Sequence, residues 1–213
     1  IYGILRFAYF TAGDLMSFGT MFTILFTWYF QSLGINLGFL PTALLAIPFG
    51  ITITILYVLG TDKFVFSYYR TQKSPPVMLA MVSIGTMFVT QAIVRIVIGP
   101  FDRRFFDGEK FLLKANEFKE MTGLNEGLTI KSTQVITLVV TVIVVSILFW
   151  FLNKTKTGKS MRAYSDNEDL ALLSGIDPKK VVMITWVIAA ILATIGGALY
   201  GLDKSFKPFT YFN

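Results

Sequence analysis

The side chains that could do chemistry in this sequence are carboxylates, hydroxyls and lysines, because its 213 residues include no cysteine and no histidine. Disulfide frameworks, thiol nucleophiles, Cys/His zinc sites and His-based triads are therefore excluded. No nucleophile and base pair stands out, and the sequence contains no phosphate-binding loop. We expect a chain that is not an enzyme and that binds no metal and no cofactor itself.

The most polar stretch of the chain, RAYSDNEDLALLSGIDPKKV, occupies residues 162–181 between two hydrophobic segments. Ser165 and Glu168 have the spacing of a capping box, which predicts a helix that begins at Ser165. Gly175 is the expected left-handed C-cap, and Asp177 before a proline predicts that another helix starts at once. The sequence therefore predicts a short polar helix that is rigidly joined to a hydrophobic one.

The apolar residues of this short helix, Leu170, Leu172 and Leu173, are more than a solvated connector needs. They could pack on the protein's own loops. Alternatively, they could fill a groove on a partner, as in helix-in-groove recognition. In the second case, a partner could push on the rest of the protein through the stiff link.

Hydroxyl side chains recur at i, i+3, i+7 spacing in two hydrophobic segments, which places each set on one helix face. The sets are Thr20, Thr23 and Thr27, and Ser83, Thr86 and Thr90. Within membranes, such seams more often form interhelical hydrogen bonds than bind a solute. A translocation path lined by them is the alternative.

Asp14 and Arg95 are the ionisable residues nearest to membrane depth, where an uncompensated charge costs at least a few kcal/mol. Arg95 lies one turn before Gly99, so we expect its side chain to reach the outer interface. Asp14 follows Gly13, where a helix break is expected, and could cap the next helix or belong to a path. No hydrophobic segment contains a series of carboxylates along its length, as a proton pump would usually need.

A strip of small residues runs along the last hydrophobic segment at intervals of four: Ala189, Ala193, Gly197 and Gly201. Small side chains on one face let helix backbones approach closely in lipid. This strip predicts a helix that packs inside a bundle or against a second copy.

Composition indicates that these residues are positioned by membrane helices, since 54% of the chain is hydrophobic and 15% is charged. Its mean hydropathy is +0.64. Crossing a bilayer takes about 20 apolar residues, and the segments that qualify are 15–33, 41–60, 77–99, 134–152 and 181–202. Residues 1–12 are too short and form either half of a broken helix or a loop. The predicted fold class is an all-α, polytopic transmembrane helix bundle.

Basic residues indicate the orientation of this bundle in the lipid bilayer. Loops 61–76 and 153–180 have an excess of Lys and Arg and are predicted to be cytoplasmic, whereas loops 34–40 and 100–133 are predicted to be external. The net charge of +6 resides in such loops, which does not favour nucleic-acid binding. In the large outer loop, residues 109–123 predict a short amphipathic helix that covers span ends or forms a docking platform.

Three stretches resemble the LivH-like permeases of branched-chain amino acid ABC importers: TKTGKSMRAYSDNEDLALLSGIDPKKV, IYGILRFAYFTAGDLMSFG and YYRTQKSPPVMLAMVSIGTMFVTQ. The resemblance covers most of the chain. It is strongest in the first stretch, which has a G-x3-RA pattern, an acidic cap and an alanine four residues before Gly-Ile. The residues that match this pattern are Gly158, Arg162, Ala163, Asp166, Ala171, Gly175 and Ile176.

The resemblance implies a permease that works with a second, related permease, two ABC ATP-binding subunits and a periplasmic or lipid-anchored substrate-binding protein. ATP and Mg would bind the partner subunits. The short polar helix would be the coupling helix, with Leu170, Ala171 and Leu173 buried in a groove of an ATP-binding subunit. The expected location is a bacterial-type inner or plasma membrane.

The chain departs from the family pattern in one motif. Family members typically read Asn-Phe-Ala-His-Gly before the acidic residue, whereas this chain reads YFTAG over residues 9–13. A leading span and the spans after KPFTYFN are also missing relative to the family, so residues 1–213 are expected to be one permease domain of a truncated chain.

The leading functional hypothesis is an ABC importer permease for branched-chain or related amino acids that works by alternating access. A urea or amide ABC permease is the nearest alternative. From another class, the alternative is a stand-alone secondary carrier or channel whose polar helix packs only on itself.

Overall fold

A computed structural model describes residues 2–5, 7–35, 41–72, 74–99, 101–105, 111–113, 130–204 and 206. The described helices are α1 (Tyr2–Leu5), α2 (Ala12–Ser32), α3 (Ala43–Thr61), α4 (Ser67–Thr71), α5 (Pro76–Ile98), α6 (Ser132–Lys154), α7 (Lys156–Asp166), α8 (Glu168–Leu173) and α9 (Pro178–Asp203). A π-helical turn, Asp62–Phe66, joins α3 to α4. Two short strands, β1 (Phe111–Leu113) and β2 (Ile130–Lys131), pair antiparallel. The predicted all-α, polytopic bundle is confirmed.

Four segments of the described chain are long and apolar enough to cross a membrane: Ala43–Thr71, Pro76–Ile98, Ser132–Lys154 and Pro178–Asp203. The remaining predicted segment, residues 15–33, forms most of the 21-residue helix α2, whose composition does not place it among these four. It packs against α3, α5 and α9 at the centre of the bundle. A helix that faces other helices instead of lipid can carry more hydroxyl and glycine residues than a lipid-facing span.

The helix is interrupted between α1 and α2, which agrees with one of the two interpretations of the sequence, a broken helix. Helix α1 ends at Leu5 and α2 begins at Ala12, three residues before the predicted start. Ala12 lines the same cavity as Ala189, which lies near the middle of the 26-residue helix α9. Helix α2 therefore begins within the bundle, level with the middle of α9.

The small-residue strip of α9 faces α2. Ala189, Ala193, Gly197 and Gly201 are all buried. A Cβ added at Gly197 would lie 2.7 Å from the carbonyl oxygen of Met16 and would also collide with the Thr20 hydroxyl. The strip is thus occupied by a helix of the same chain.

Helix α6 has little cover from the rest of the chain, since none of its most apolar window is buried. Its aliphatic side chains, including Leu138, Val142 and Ile147, are exposed. Helix α6 turns sharply into α7. The turn brings the two backbones close together, since a Cβ at Gly158 would lie 2.6 Å from the Cα of Leu152.

The predicted outer-loop helix over residues 109–123 is wrong where the structure describes it, because Phe111–Leu113 is a β-strand. The other residues of segment 109–123 lie outside the described residues. Strand β1 pairs with β2 immediately before α6, so its backbone groups bond across the loop instead of along a helix. Pairing across a loop depends on a distant partner, which local helical periodicity does not reveal.

Candidate functional site

The polar segment after α6 consists of two helices that meet at Asn167. Asn167 has an extended backbone (φ −151°), and its side-chain oxygen accepts the Leu170 N–H at 3.1 Å. The prediction that a helix begins at Ser165 is therefore wrong, since Ser165 lies in the last turn of α7. Glu168 accepts a 2.6 Å hydrogen bond from the Tyr164 hydroxyl, so its carboxylate serves the joint between the two helices.

The far end of α8 is as predicted. Gly175 has φ +79°, the left-handed conformation that glycine tolerates best. The Ile176 N–H then bonds back to the Ala171 carbonyl at 3.1 Å. The Asp177 side chain accepts the Lys179 N–H at 2.9 Å and caps α9. Helix α8 is thus joined to the long helix α9 by a short connection with both ends fixed.

The faces of α8 differ from the predicted arrangement. Ala171 is only 3% exposed and packs with Met161, Tyr164 and Val181. By contrast, Leu170 is 61% exposed and Leu173 is 86% exposed. Ala171 therefore faces the protein itself, and the prediction that it faces a partner is wrong. A six-residue helix packed on α7 must turn one residue inward, and the smallest one allows the closest approach.

The other residues predicted in this region divide into two groups. Gly158 is buried at the joint between α6 and α7, where its missing side chain permits close backbone approach. Exposed on the surface are Arg162, Ala163, Asp166 and Gly175. The Arg162 guanidinium donates to the side-chain oxygen of Asn153 at 3.0 Å, which ties α7 to the end of α6.

The hydroxyl seam of α2 is fully buried and bonds within its own helix. Thr20, Thr23 and Thr27 donate to the carbonyls four residues earlier at 2.7, 2.8 and 2.7 Å. Thr23 faces Gly50 of α3, and Thr20 faces Gly197 of α9. With its hydroxyls satisfied by the backbone, this seam packs closely against glycine-bearing faces.

The hydroxyl seam of α5 makes the interhelical hydrogen bonds. The Ser83 hydroxyl accepts the Phe10 N–H at 2.7 Å, and the Ser83 carbonyl accepts from the Thr11 hydroxyl at 2.9 Å. Thr86 lies 2.9 Å from the same Thr11 hydroxyl. Nearer the C-terminus of α5, the Thr90 hydroxyl lies 2.7 Å from the Tyr57 hydroxyl of α3. The seam therefore fixes the break between α1 and α2 against α5.

Asp14 lies in the first turn of α2 and is 1% exposed. It is not the N-cap, which is Thr11, whose hydroxyl is used by α5 and does not cap α2. The Gln91 amide is a hydrogen-bonding neighbour of the Asp14 carboxylate, and the Arg95 charge also acts on it. The Oδ2 atom is buried and has no hydrogen-bond partner among the described residues.

A second polar contact was not found from the sequence. The buried Trp186 of α9 donates its indole N–H to Asp62 at 2.6 Å, and Arg70 lies 2.7 Å from the same carboxylate oxygen. The Trp186 ring also packs edge-on to Tyr9, with centroids 4.7 Å apart. The sequence carries no signal for either contact, because Asp62 and Arg70 are eight residues apart, beyond the i, i+3 and i, i+4 spacings of helical ion pairs, and Trp186 is 124 residues from Asp62.

This contact joins three elements: the N-terminal half of α9, the π-helical turn that follows α3, and the linker between α1 and α2. Phe66 completes it, with ring centroids 5.5 Å from Phe7 and 5.6 Å from Trp186. We call Phe7, Tyr9, Phe66 and Trp186 the aromatic cluster. Through these ring contacts, the cluster packs α9 against the linker.

An apolar cavity of about 480 Å³ lies between the broken helix and the polar helices. Its lining includes Gly3, Met16, Leu152, Arg162 and Ala189. Within the described part of the chain, no group of three or more acidic side chains could hold a metal ion.

Comparison with known families matches residues 1–213 to the family described as branched-chain amino acid transport system / permease component. The high-affinity branched-chain amino acid transport system permease protein LivH of Escherichia coli K12 is 24% identical over 204 residues, 94% of this chain and 63% of that protein. A probable LivH of Methanocaldococcus jannaschii is 35% identical over 63 residues, 30% of this chain and 20% of that protein.

The nucleoside ABC transporter permease protein NupB of Lactococcus lactis subsp. cremoris is 32% identical over 80 residues, 38% of this chain and 22% of that protein. This chain spans less than two thirds of the length of the Escherichia coli relative, namely 63%. No solved structure matches it.

Proposed function

The chain belongs to the family of branched-chain amino acid transport permeases, and we propose that it is the membrane-spanning permease of an ABC importer for branched-chain or related amino acids. In this proposal, ATP and Mg bind separate subunits, and the permease alternates between outward-open and inward-open states. The observation that carries it is the exposed apolar edge of α8, formed by Leu170 and Leu173.

The exposed edge of α8 supports a docking role because it is apolar and uncovered. Leu173 is the last residue of α8, a helix whose two ends are capped. Its side chain is therefore held outward and does not fold back on the protein's own loops. A rigid apolar knob of this kind fits a groove on a partner. We assign that groove to an ATP-binding subunit, which makes α8 the coupling helix; the same exposure argues against a stand-alone carrier.

The connection from α8 to the translocation path is short. Gly175 and Asp177 fix the angle between α8 and α9, so a push on α8 moves α9 as one body. Trp186 then carries this movement to Asp62 and to Tyr9 in the linker. The opening of the path would therefore be controlled at the break between α1 and α2.

The remaining partners follow from the same proposal. The uncovered face of α6 is available to lipid or to a second, related permease. A periplasmic or lipid-anchored substrate-binding protein would deliver the solute from the external side. With loops 61–76 and 153–180 in the cytoplasm, α8 lies on the side where ATP is present.

The test replaces the two exposed leucines of α8 in the full transporter. Leu170→Ser with Leu173→Ser should reduce co-purification of the ATP-binding subunits and abolish amino acid uptake in proteoliposomes. Size-exclusion profiles should be unchanged, since neither side chain packs in the bundle. Lys179→Ser, an exposed change just beyond α8, is the control and should retain both activities.

The opposite result is equally clear. If the double variant keeps its ATP-binding subunits and its uptake, α8 is not the coupling helix. Ala171→Arg cannot serve as this test, because Ala171 is buried against α7 and the change would disturb the fold itself.

A further inference from the structure

The first turn of α2 contains a carboxylate that the fold leaves incompletely satisfied. Asp14 is 1% exposed, and its Oδ2 atom makes no hydrogen bond within the described part of the chain. A buried carboxylate without a partner costs several kcal/mol relative to water. Proteins retain such groups within membranes mainly where they contact a solute or an ion.

The surroundings of Asp14 are polar, although the site is at the level of membrane spans. Gln91 is a hydrogen-bonding neighbour of Asp14, and Thr90, one residue before Gln91 on α5, pairs with the Tyr57 hydroxyl at 2.7 Å. One turn above Asp14, the buried Ser17 hydroxyl also has no partner among the described residues. Two unpartnered polar groups thus lie one turn apart on α2, at the edge of the linker.

A structural role accounts for one side of the carboxylate only. Negative charge in the first turn of a helix is stabilised by the helix dipole, and Gln91 adds a hydrogen bond. The Arg95 charge attracts Asp14, but Arg95 itself is on the exposed face of α5. Among the described residues none donates to Oδ2, so this oxygen can still accept from a cationic donor.

Building on the proposed transport function, we infer that Asp14, with Gln91 beside it, binds the ammonium group of the transported amino acid. The carboxylate would pair with the cation at Oδ2, and Ser17 would supply a further oxygen. Uncharged solutes such as urea, simple amides or nucleosides would bring no cationic partner to Oδ2. The path itself would therefore select solutes that carry a primary ammonium group.

Access to this site requires movement. In the present conformation Asp14 is closed off by α5 and the linker, which are held together by Ser83, Thr86 and Thr11. Separation of the linker from α5 would uncover the carboxylate, and the aromatic cluster connects that linker to α9. The site would thus open and close with the movement that the coupling helix drives.

The test uses the complete transporter, with its ATP-binding subunits and binding protein, in proteoliposomes, and L-leucine as the probe. Asp14→Asn keeps the size and removes the charge. We expect leucine uptake to fall about tenfold or more, the loss expected for one charge-assisted hydrogen bond. Thr54→Val is the matched control, because Thr54 is buried and its hydroxyl donates to the Gly50 carbonyl of its own helix.

Assembly is measured in parallel, through co-purified ATP-binding subunits and ATP hydrolysis stimulated by the loaded binding protein. Retained assembly with lost uptake in Asp14→Asn supports the inference. Normal uptake by Asp14→Asn overturns it while leaving the proposed function intact, and loss of assembly would assign Asp14 a structural role and also overturn it. If the unmodified transporter moves no amino acid, the proposed function itself is wrong, and this inference fails with it.

Discussion

The contact between α2 and α9 provides the sharpest test of the fold, because two adjacent glycines differ in what surrounds them. A Cβ at Gly197 would lie 2.7 Å from the Met16 carbonyl oxygen and 3.1 Å from its carbonyl carbon. At Gly196 a Cβ would lie 3.6 Å from the Met16 methyl, an ordinary contact with a flexible side chain. Gly197→Ala should therefore destabilise the bundle, and Gly196→Ala should not.

The magnitude follows from what must move. Backbone atoms of α2 cannot yield as a side-chain end can, so α2 and α9 must separate, and overpacking of this kind costs about 1–3 kcal/mol. Part of the clash involves the Thr20 hydroxyl. Thr20→Ala should relieve that part in Gly197→Ala, but not the contact with the Met16 backbone, so rescue should be incomplete.

Thermal unfolding of the detergent-solubilised protein, followed by size-exclusion chromatography, measures the effect. Both single variants are compared with the unmodified protein, and the double variant with Gly197→Ala. Both substitutions favour helix by a similar amount, roughly 1 kcal/mol, so this gain cancels in the comparison. Equal stability of Gly196→Ala and Gly197→Ala would refute close packing of α9 on α2.

Two further substitutions test the connection between α8, α9 and the linker. Trp186→Phe removes the hydrogen bond to Asp62, which weakens this contact by about 1.5–3 kcal/mol. We expect less amino acid uptake per ATP hydrolysed. An unchanged ratio of uptake to ATP hydrolysis would argue against transmission through Trp186. Gly175→Ala forces a side chain into a conformation with φ +79° and should cost about 1 kcal/mol, seen as weaker co-purification of ATP-binding subunits. The control is Gly60→Ala, because Gly60 is half-buried and a Cβ there would meet nothing within 4 Å.

Much of the candidate site was predictable because it depends on local backbone chemistry. A glycine that can adopt positive φ ended α8 at Gly175, and an aspartate before a proline began α9 at Asp177. The spacing of four along α9 showed which face could approach another helix. The same reasoning failed at Ser165, because Ser165 is already inside α7. The boundary between α7 and α8 is at Asn167, whose backbone is extended.

The sequence by itself determined that this protein is a bundle of membrane helices, where most of those helices run, and that a short capped helix leads into α9. These features follow from hydropathy, periodicity and capping, which act within a few residues of the chain. Only the tertiary structure decided that α2 lies at the centre, that Ala171 faces inward and that Trp186 meets Asp62. It also decided that Asp14 is buried, with one oxygen that has no hydrogen-bond partner among the described residues. Each of these depends on which distant side chains share a space, and packing between helices fixes that.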